Sequence, residues 1–301
     1  MWSATDLIAV ELPPAEVPFA VPVEATTGFV GPSFMQYLAD ELGATLERDR
    51  FDIGLMDDFS VLRGRWLDPD KVNPLVVEFY EHTTRFTLSV RPKWNQWYRP
   101  AFWLFRTLIA RKIGQFNLPF DERDEKRGLE THIDALDLDH DKIVDLRAWV
   151  RTYAGTTETI YCGVYTTVRV GELGYVSVGF PLPNANITAT LIPSNIDGDA
   201  FILRTHEPQA RAAGDYLIVA DAETGRLNVL RIRGLREEIQ VYVRDGALFA
   251  DHRFYFARTN FLTLFYAMQR KAVTEAEPGK ALELTRASVE AVGARGNPVR
   301  L

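Results

Sequence analysis

The chain has a single cysteine, Cys162, among its 301 residues, so no internal disulfide can form. Cys162 stands in an alternating apolar run between Ile160 and Val164, which reads as a buried thiol in a reducing compartment. No stretch reaches the roughly 18 consecutive apolar residues that a membrane-spanning helix needs. Met1 to Pro14 carries Asp6 and Glu11 inside its only apolar stretch and has no basic leader, so it does not read as a signal peptide. These absences together predict a cytoplasmic protein, or one attached to a membrane at its surface.

Motifs are missing as well. The chain has no Gly-x-x-x-x-Gly-Lys phosphate loop, no Gly-x-Gly-x-x-Gly after a strand, no Gly-x-Ser-x-Gly elbow and no Cys or His pair at zinc spacing. Asp137, Asp139 and Asp141 imitate the start of a calcium loop. Lys142 replaces its turn glycine, however, and Ala148 its closing glutamate, so the run reads as a solvated acidic loop. Nothing in the sequence calls for a metal or a cofactor.

Charge is absent in one sign over a long stretch. From His82 to Phe120 there is no Asp or Glu, while Arg85, Arg91, Lys93, Arg99, Arg106, Arg111 and Lys112 are all cationic. Asp121 to Arg147 then carries ten acids against five bases. With a net charge of −7 and this acidic run beside the basic one, a nucleic-acid partner is disfavoured.

What is present is ample core material: 47% hydrophobic and 25% charged residues, the balance of an ordinary globular chain. The pattern predicts an α+β protein of one domain, 1–301. Residues 1–120 form an extended and helical section, 121–147 an acidic surface connection, 148–270 an antiparallel β-meander and 271–301 a tail with a weak helix near 280–292. Five prolines between Pro13 and Pro32 keep the start extended over the body. Helices are expected at Phe34–Leu42, capped by Ser33 and closed by Gly43, and from Pro74, where Leu75, Phe79, His82 and Phe86 make one stripe. Residues 44–69 receive no assignment, and a short strand is placed at 87–90. A third helix from Pro100 to about Phe116 is apolar over more than half its circumference and is expected to be buried, plugging the sheet.

Nine strands are expected at 159–170, 174–182, 186–193, 200–206, 215–221, 226–233, 237–244, 247–257 and 261–270. Their turns contain Gly171-Glu172-Leu173-Gly174, Asp197-Gly198, Thr224-Gly225 and Asp245-Gly246. So long a meander must curl round an apolar filling or close into a barrel.

Two histidines lie on apolar faces. His82 follows Glu78 by one helical turn, and His252 shares a strand face with Leu248, Ala250, Phe254 and Phe256. If the two faces line one cavity, His82, His252 and Glu78 become candidates for acid–base chemistry; the plainer reading is a histidine satisfied by a backbone carbonyl. Trp94, Trp97, Tyr98, Arg99 and Trp103, with Arg85, form a second constellation. Rings interleaved with cations suit an anionic head on an apolar ligand or a membrane interface, or else a core whose cations pair with the acidic run.

Pro74, the run Phe79-Tyr80-Glu81-His82-Thr83, Trp94, and Gln115-x-Asn117-x-Pro119 resemble a group of uncharacterised bacterial proteins, mainly from Gram-positive organisms. The resemblance spans about residues 68–270 and implies a helical first half followed by strands, with no known activity to carry over. The function expected is binding, with or without transformation, of an apolar small molecule of lipid, isoprenoid or polyketide type in a β-cup. The alternative is a peripheral membrane or scaffold protein that docks through residues 94–112 and has no catalytic activity.

Overall fold

A computed structural model describes residues 10–48, 52–141, 144–196 and 198–271. The chain divides into a unit Met1–Gln269 and a unit Arg270–Leu301. The weak helix expected near 280–292 and Asp197 of one turn lie outside the described residues.

The strands are β1 (Val10–Leu12), β2 (Thr45–Arg48), β3 (Phe86–Trp94), β4 (Leu129–Asp137), β5 (Leu146–Tyr153), β6 (Thr159–Val170) and β7 (Leu173–Leu182). There follow β8 (Ala185–Asn195), β9 (Phe201–Arg204), β10 (Gly214–Ala220), β11 (Leu227–Arg231), β12 (Leu235–Arg244), β13 (Ala247–Phe256) and β14 (Thr259–Arg270). They form one curled, open antiparallel sheet in the order β2-β4-β5-β6-β7-β8-β9-β12-β13-β14-β3. The nine strands expected after residue 159 are all present. Asp245 and Gly246 both take positive φ, 52° and 76°, the geometry that lets a two-residue hairpin follow the strand twist.

The simple meander is corrected at β8, where the sheet forks. Residues 186–190 of β8 pair with β10, which continues to β11 and β1, whereas residues 192–195 pair with β9. The acidic connection is corrected too. After a short helix at Glu122–Lys126, residues 129–137 form β4, held between β2 and β5. Its Asp134 is fully buried and accepts from Arg48 Nε and Nη2 at 3.1 and 3.2 Å, so its charge serves an internal ion pair.

Both faces of the sheet are covered around β4–β6, which explains the nearly continuous apolar runs there. On one face α1 (Phe34–Leu42) and the extended Val21–Val30 pack on Leu136, Ala148, Val150, Cys162 and Val164. Cys162 is buried, and burial pushes its thiol up. Gly43 ends α1 at φ 66°, as expected, but Ser33 makes no side-chain cap. On the other face α2 (Pro74–Glu81) and the turn Phe59–Leu62 close the main core with Trp149, Val176, Phe201 and Leu264.

The second helix is shorter than its stripe predicts. Asn73 Oδ1 caps it by accepting from Leu75 N at 2.9 Å. It stops at Glu81 because Thr83 Oγ1 turns back to Phe79 O at 2.6 Å and Thr84 bonds both polar backbone atoms of Ile53. Phe86 therefore opens β3, which runs on to Trp94. The third helix is corrected further. It runs as α3 (Arg99–Phe105), a π turn (Arg106–Ala110) and α4 (Arg111–Ile113), and only Arg106 and Ala110 are fully buried along it. Gly114 ends it at φ 66°, where a Cβ would meet Phe29 Cε2 at 2.6 Å and Gly31 N at 2.8 Å.

Gln115-x-Asn117-x-Pro119 joins this helix to the sheet. Pro181 on β7 has no N–H to offer β6, and Gln115 supplies the missing bonds. Its Nε2 donates to Cys162 O at 3.0 Å and Pro181 O at 3.1 Å, and its Oε1 accepts from Cys162 N at 2.8 Å. Asn117 Nδ2 donates to Thr159 O at 2.7 Å, and Pro119 O accepts from Trp94 Nε1 at 3.0 Å.

Candidate functional site

The curl of the sheet encloses a cavity of about 360 Å³. Strand alternation puts every second residue of β5 to β8 and β12 to β14 on its wall, and Leu, Val, Ile, Phe and Trp side chains make most of it. Phe102, Phe105 and Phe116 line it from the helix side. The plug expected of that helix is thus one edge of the wall. Trp103, Leu104, Leu108 and Ile109 are about half exposed, and Trp97 in the preceding turn is 84% exposed.

A few polar groups interrupt the apolar wall: Arg151, Tyr161, Tyr165, Tyr266, Glu237 and His252. Arg151 on β5 is 5% exposed. Its guanidinium carbon lies 3.8, 4.6 and 5.1 Å from the ring centres of Trp149, Tyr161 and Tyr266, and Nη1 donates to Tyr266 OH at 3.1 Å. Its Nε has no hydrogen-bond partner.

His252 Nε2 lies 3.2 Å from Glu237 Oε2, and its ring stacks on Phe254 at 4.0 Å. Burial pushes Glu237 up to about 7. Burial first, and the Arg151 charge second, push His252 down to about 3. Both groups are driven toward neutrality. Behind Glu237, burial and the Glu237 charge hold the Asp215 carboxyl well above the usual carboxylate range. Burial also raises Tyr161 and Tyr165, which stay phenols and can donate.

The two candidate histidines do not meet. His82 caps the end of α2 and borders a separate surface depression with Glu78 and Arg85. Its Nδ1 sits 2.9 Å from Asp52 Oδ1, and Arg85 Nε reaches the same oxygen at 2.5 Å. The hydrogen bond from Arg85 holds Asp52 below the usual carboxylate range. Glu78 pairs with Arg85 at 3.5 Å, and the acid beside the His82 ring is Asp52, which the sequence pattern did not single out.

The aromatic constellation divides as well. Trp94 faces the cavity, stacked on Phe102 at 4.0 Å. Tyr98 packs on Phe261, and Arg99 lies over Phe120 at 4.7 Å, while Trp97 and Trp103 face outward. The cations meet the acidic run at Asp124. Arg106 Nη1 donates to Asp124 Oδ2 at 2.5 Å, and although burial alone would raise Asp124, this bond keeps it below its ordinary range.

Arg151, Tyr161, Tyr165, Glu237 and Tyr266 are absent from the sequence-derived candidates. The signal was phase: Trp149-x-Arg151 and Tyr161-x-Gly163-x-Tyr165 place polar tips on the inward face. Glu237-x-Ile239-x-Val241 places a carboxyl there in the same way. In the acidic loop, Asp137, Asp139 and Asp145 bring oxygens within 4.8 Å of one another. Ala148, at the place of a calcium loop's closing glutamate, lies buried in β5.

Over 216 residues the chain is 28% identical to a protein of Bacillus subtilis (strain 168) described as an uncharacterized membrane protein, YndJ. The match covers 71% of this chain and 38% of that protein, so the chain spans little more than a third of its relative's length. It agrees with the resemblance to uncharacterised bacterial proteins. No family model matches the chain, and no solved structure does. Among the described residues no helix is long and apolar enough to cross a membrane, which says nothing of a β-barrel.

Proposed function

We propose that the protein binds an apolar small molecule inside its curled sheet. The observation that carries this reading is the cavity of about 360 Å³, apolar over most of its wall and interrupted by a few convergent polar groups. That size lies within the roughly 300–1,000 Å³ of small-molecule sites, and that composition is theirs. Any transformation of the bound molecule would run through His252, whose neutral ring and partly neutral Glu237 partner can exchange a proton. His82 is too far removed in the fold to share that task.

Native mass spectrometry of the protein from its own host tests this reading. An apolar adduct released on denaturation is the expected result. A bare chain that also takes up no added hydrocarbon ligand would refute the cup.

A second reading, docking on an anionic membrane surface, is favoured by the outward face of residues 97–112. Trp97, Trp103, Leu104, Leu108 and Ile109 are exposed beside Arg99, Arg111 and Lys112, a mixture suited to headgroup level. The relative's description as a membrane protein points the same way. The two readings are compatible, because Phe102 and Phe105 of the same helix line the cavity.

A further inference from the structure

Three arginines of the sheet and its helix are nearly inaccessible: Arg106 at 6%, Arg147 at 7% and Arg151 at 5% exposure. Arg106 pairs with Asp124, and Arg147 with Asp57. Arg151 has no carboxylate partner among the described residues. Its hydrogen bond goes to a hydroxyl, that of Tyr266, and its Nε is unpartnered. Ring faces on Trp149, Tyr161 and Tyr266 offset part of the cost of burying a cation, but they provide no counter-charge.

Nor do the acids nearby provide one. Glu237 is bonded to His252, and burial drives it toward the neutral acid, as it does Asp215. The cavity wall therefore carries one fixed positive charge, always present because guanidinium stays protonated. Around that charge stand three phenols able to donate.

Resting on the cup reading, we propose that the bound molecule is an amphipathic monoanion, a hydrocarbon body ending in a carboxylate, anchored by Arg151. A guanidinium fork with a free Nε matches the two oxygens of a carboxylate. Tyr161 and Tyr165, on the strand that pairs with β5, supply further donors close to the head. A single cation balances a single negative charge, so a doubly charged phosphate monoester would stay uncompensated. An uncharged alcohol would leave Arg151 as it is. The rest of the wall, with Val176, Val178, Leu191, Ile239 and Leu264, receives the hydrocarbon.

The test compares dodecanoate with dodecanol, matched in chain length, on the full-length protein by titration calorimetry. We expect dodecanoate to bind at least tenfold tighter than dodecanol. In Arg151→Met that preference should vanish, with thermal unfolding confirming the fold. Equal affinities for acid and alcohol in the unaltered protein would overturn the proposal and leave the cup standing, as would a preference that survives Arg151→Met. No binding of either ligand would refute the cup itself and this inference with it. Should Arg151→Met fail to fold, the acid-versus-alcohol comparison on the unaltered protein decides alone.

Discussion

Glu237 and His252 face each other across 3.2 Å, and burial displaces their protonation in opposite directions. Between the ordinary 4.5 of Glu237 and its folded value of about 7, the folded chain keeps a proton that the unfolded chain has released. Stability therefore falls as pH rises through that window, by up to about 3 kcal/mol. His252 acts at the other end. From its ordinary 6.5 down to about 3 the folded chain lacks a proton the unfolded chain has taken up, so stability falls as pH falls. Glu237→Gln keeps the shape and a hydrogen-bond partner for His252 while removing one of these slopes. Urea midpoints should then place the variant above the unaltered protein at pH 8 and narrow the gap at pH 5; parallel profiles would mean that Glu237 does not titrate in this range. His252 was legible in the sequence because a histidine in phase with Leu248 and Ala250 has to be explained. Arg151 was not, because what marks it out is the absence of an acid beside it, and partners from β6 and β14 are a matter of tertiary structure.

At the scale of elements, the strands after residue 159 were legible because alternation and glycine turns agree with each other there. β4 was missed because Glu130, Asp134 and Asp137 resemble a wet surface. The arrival of Arg48 from β2, with His132 Nε2 3.5 Å from the same carboxylate, makes Asp134 tolerable inside. The segment from Arg99 to Ile113 failed in the opposite sense. A helix apolar over more than half its circumference is expected to be covered, yet this one leaves a broad ridge of Trp and Leu side chains in the open, with cations at both ends. On the membrane-docking reading this ridge is the interaction surface, and the cations beside it fit it to an anionic partner. The protein should sediment with phosphatidylglycerol vesicles and release as salt rises. Trp97→Ala combined with Arg99→Ala should reduce binding several-fold with no change in unfolding midpoint, since Trp97 is 84% exposed. Binding that survives the double substitution would place the contact elsewhere.

The molecule as a whole resolves a question that the strand pattern left open, whether so long a sheet closes or curls. It curls, and the ends of its main path are β2 and β3, with β1 at the end of the branch. β3 carries Pro92 between Arg91 and Lys93, devices that discourage pairing with another chain. The cavity was legible only as a requirement for some apolar filling. Its wall draws side chains from segments as far apart as Leu55 and Met268, so neither its volume nor its polar groups follow from any local pattern. Ala250 on β13 lines this space at 5% exposure, and enlarging it separates a real void from a packed core. In a core already filled, Ala250→Leu would force strain of about 1–3 kcal/mol. In a chamber meant for a ligand the added side chain occupies free volume and buries apolar surface, so the urea midpoint should hold or rise with an unchanged m-value. Uptake of an apolar ligand should fall at the same time, because the leucine takes the ligand's place. A destabilised variant with undiminished ligand binding would locate the binding site outside the curl of the sheet.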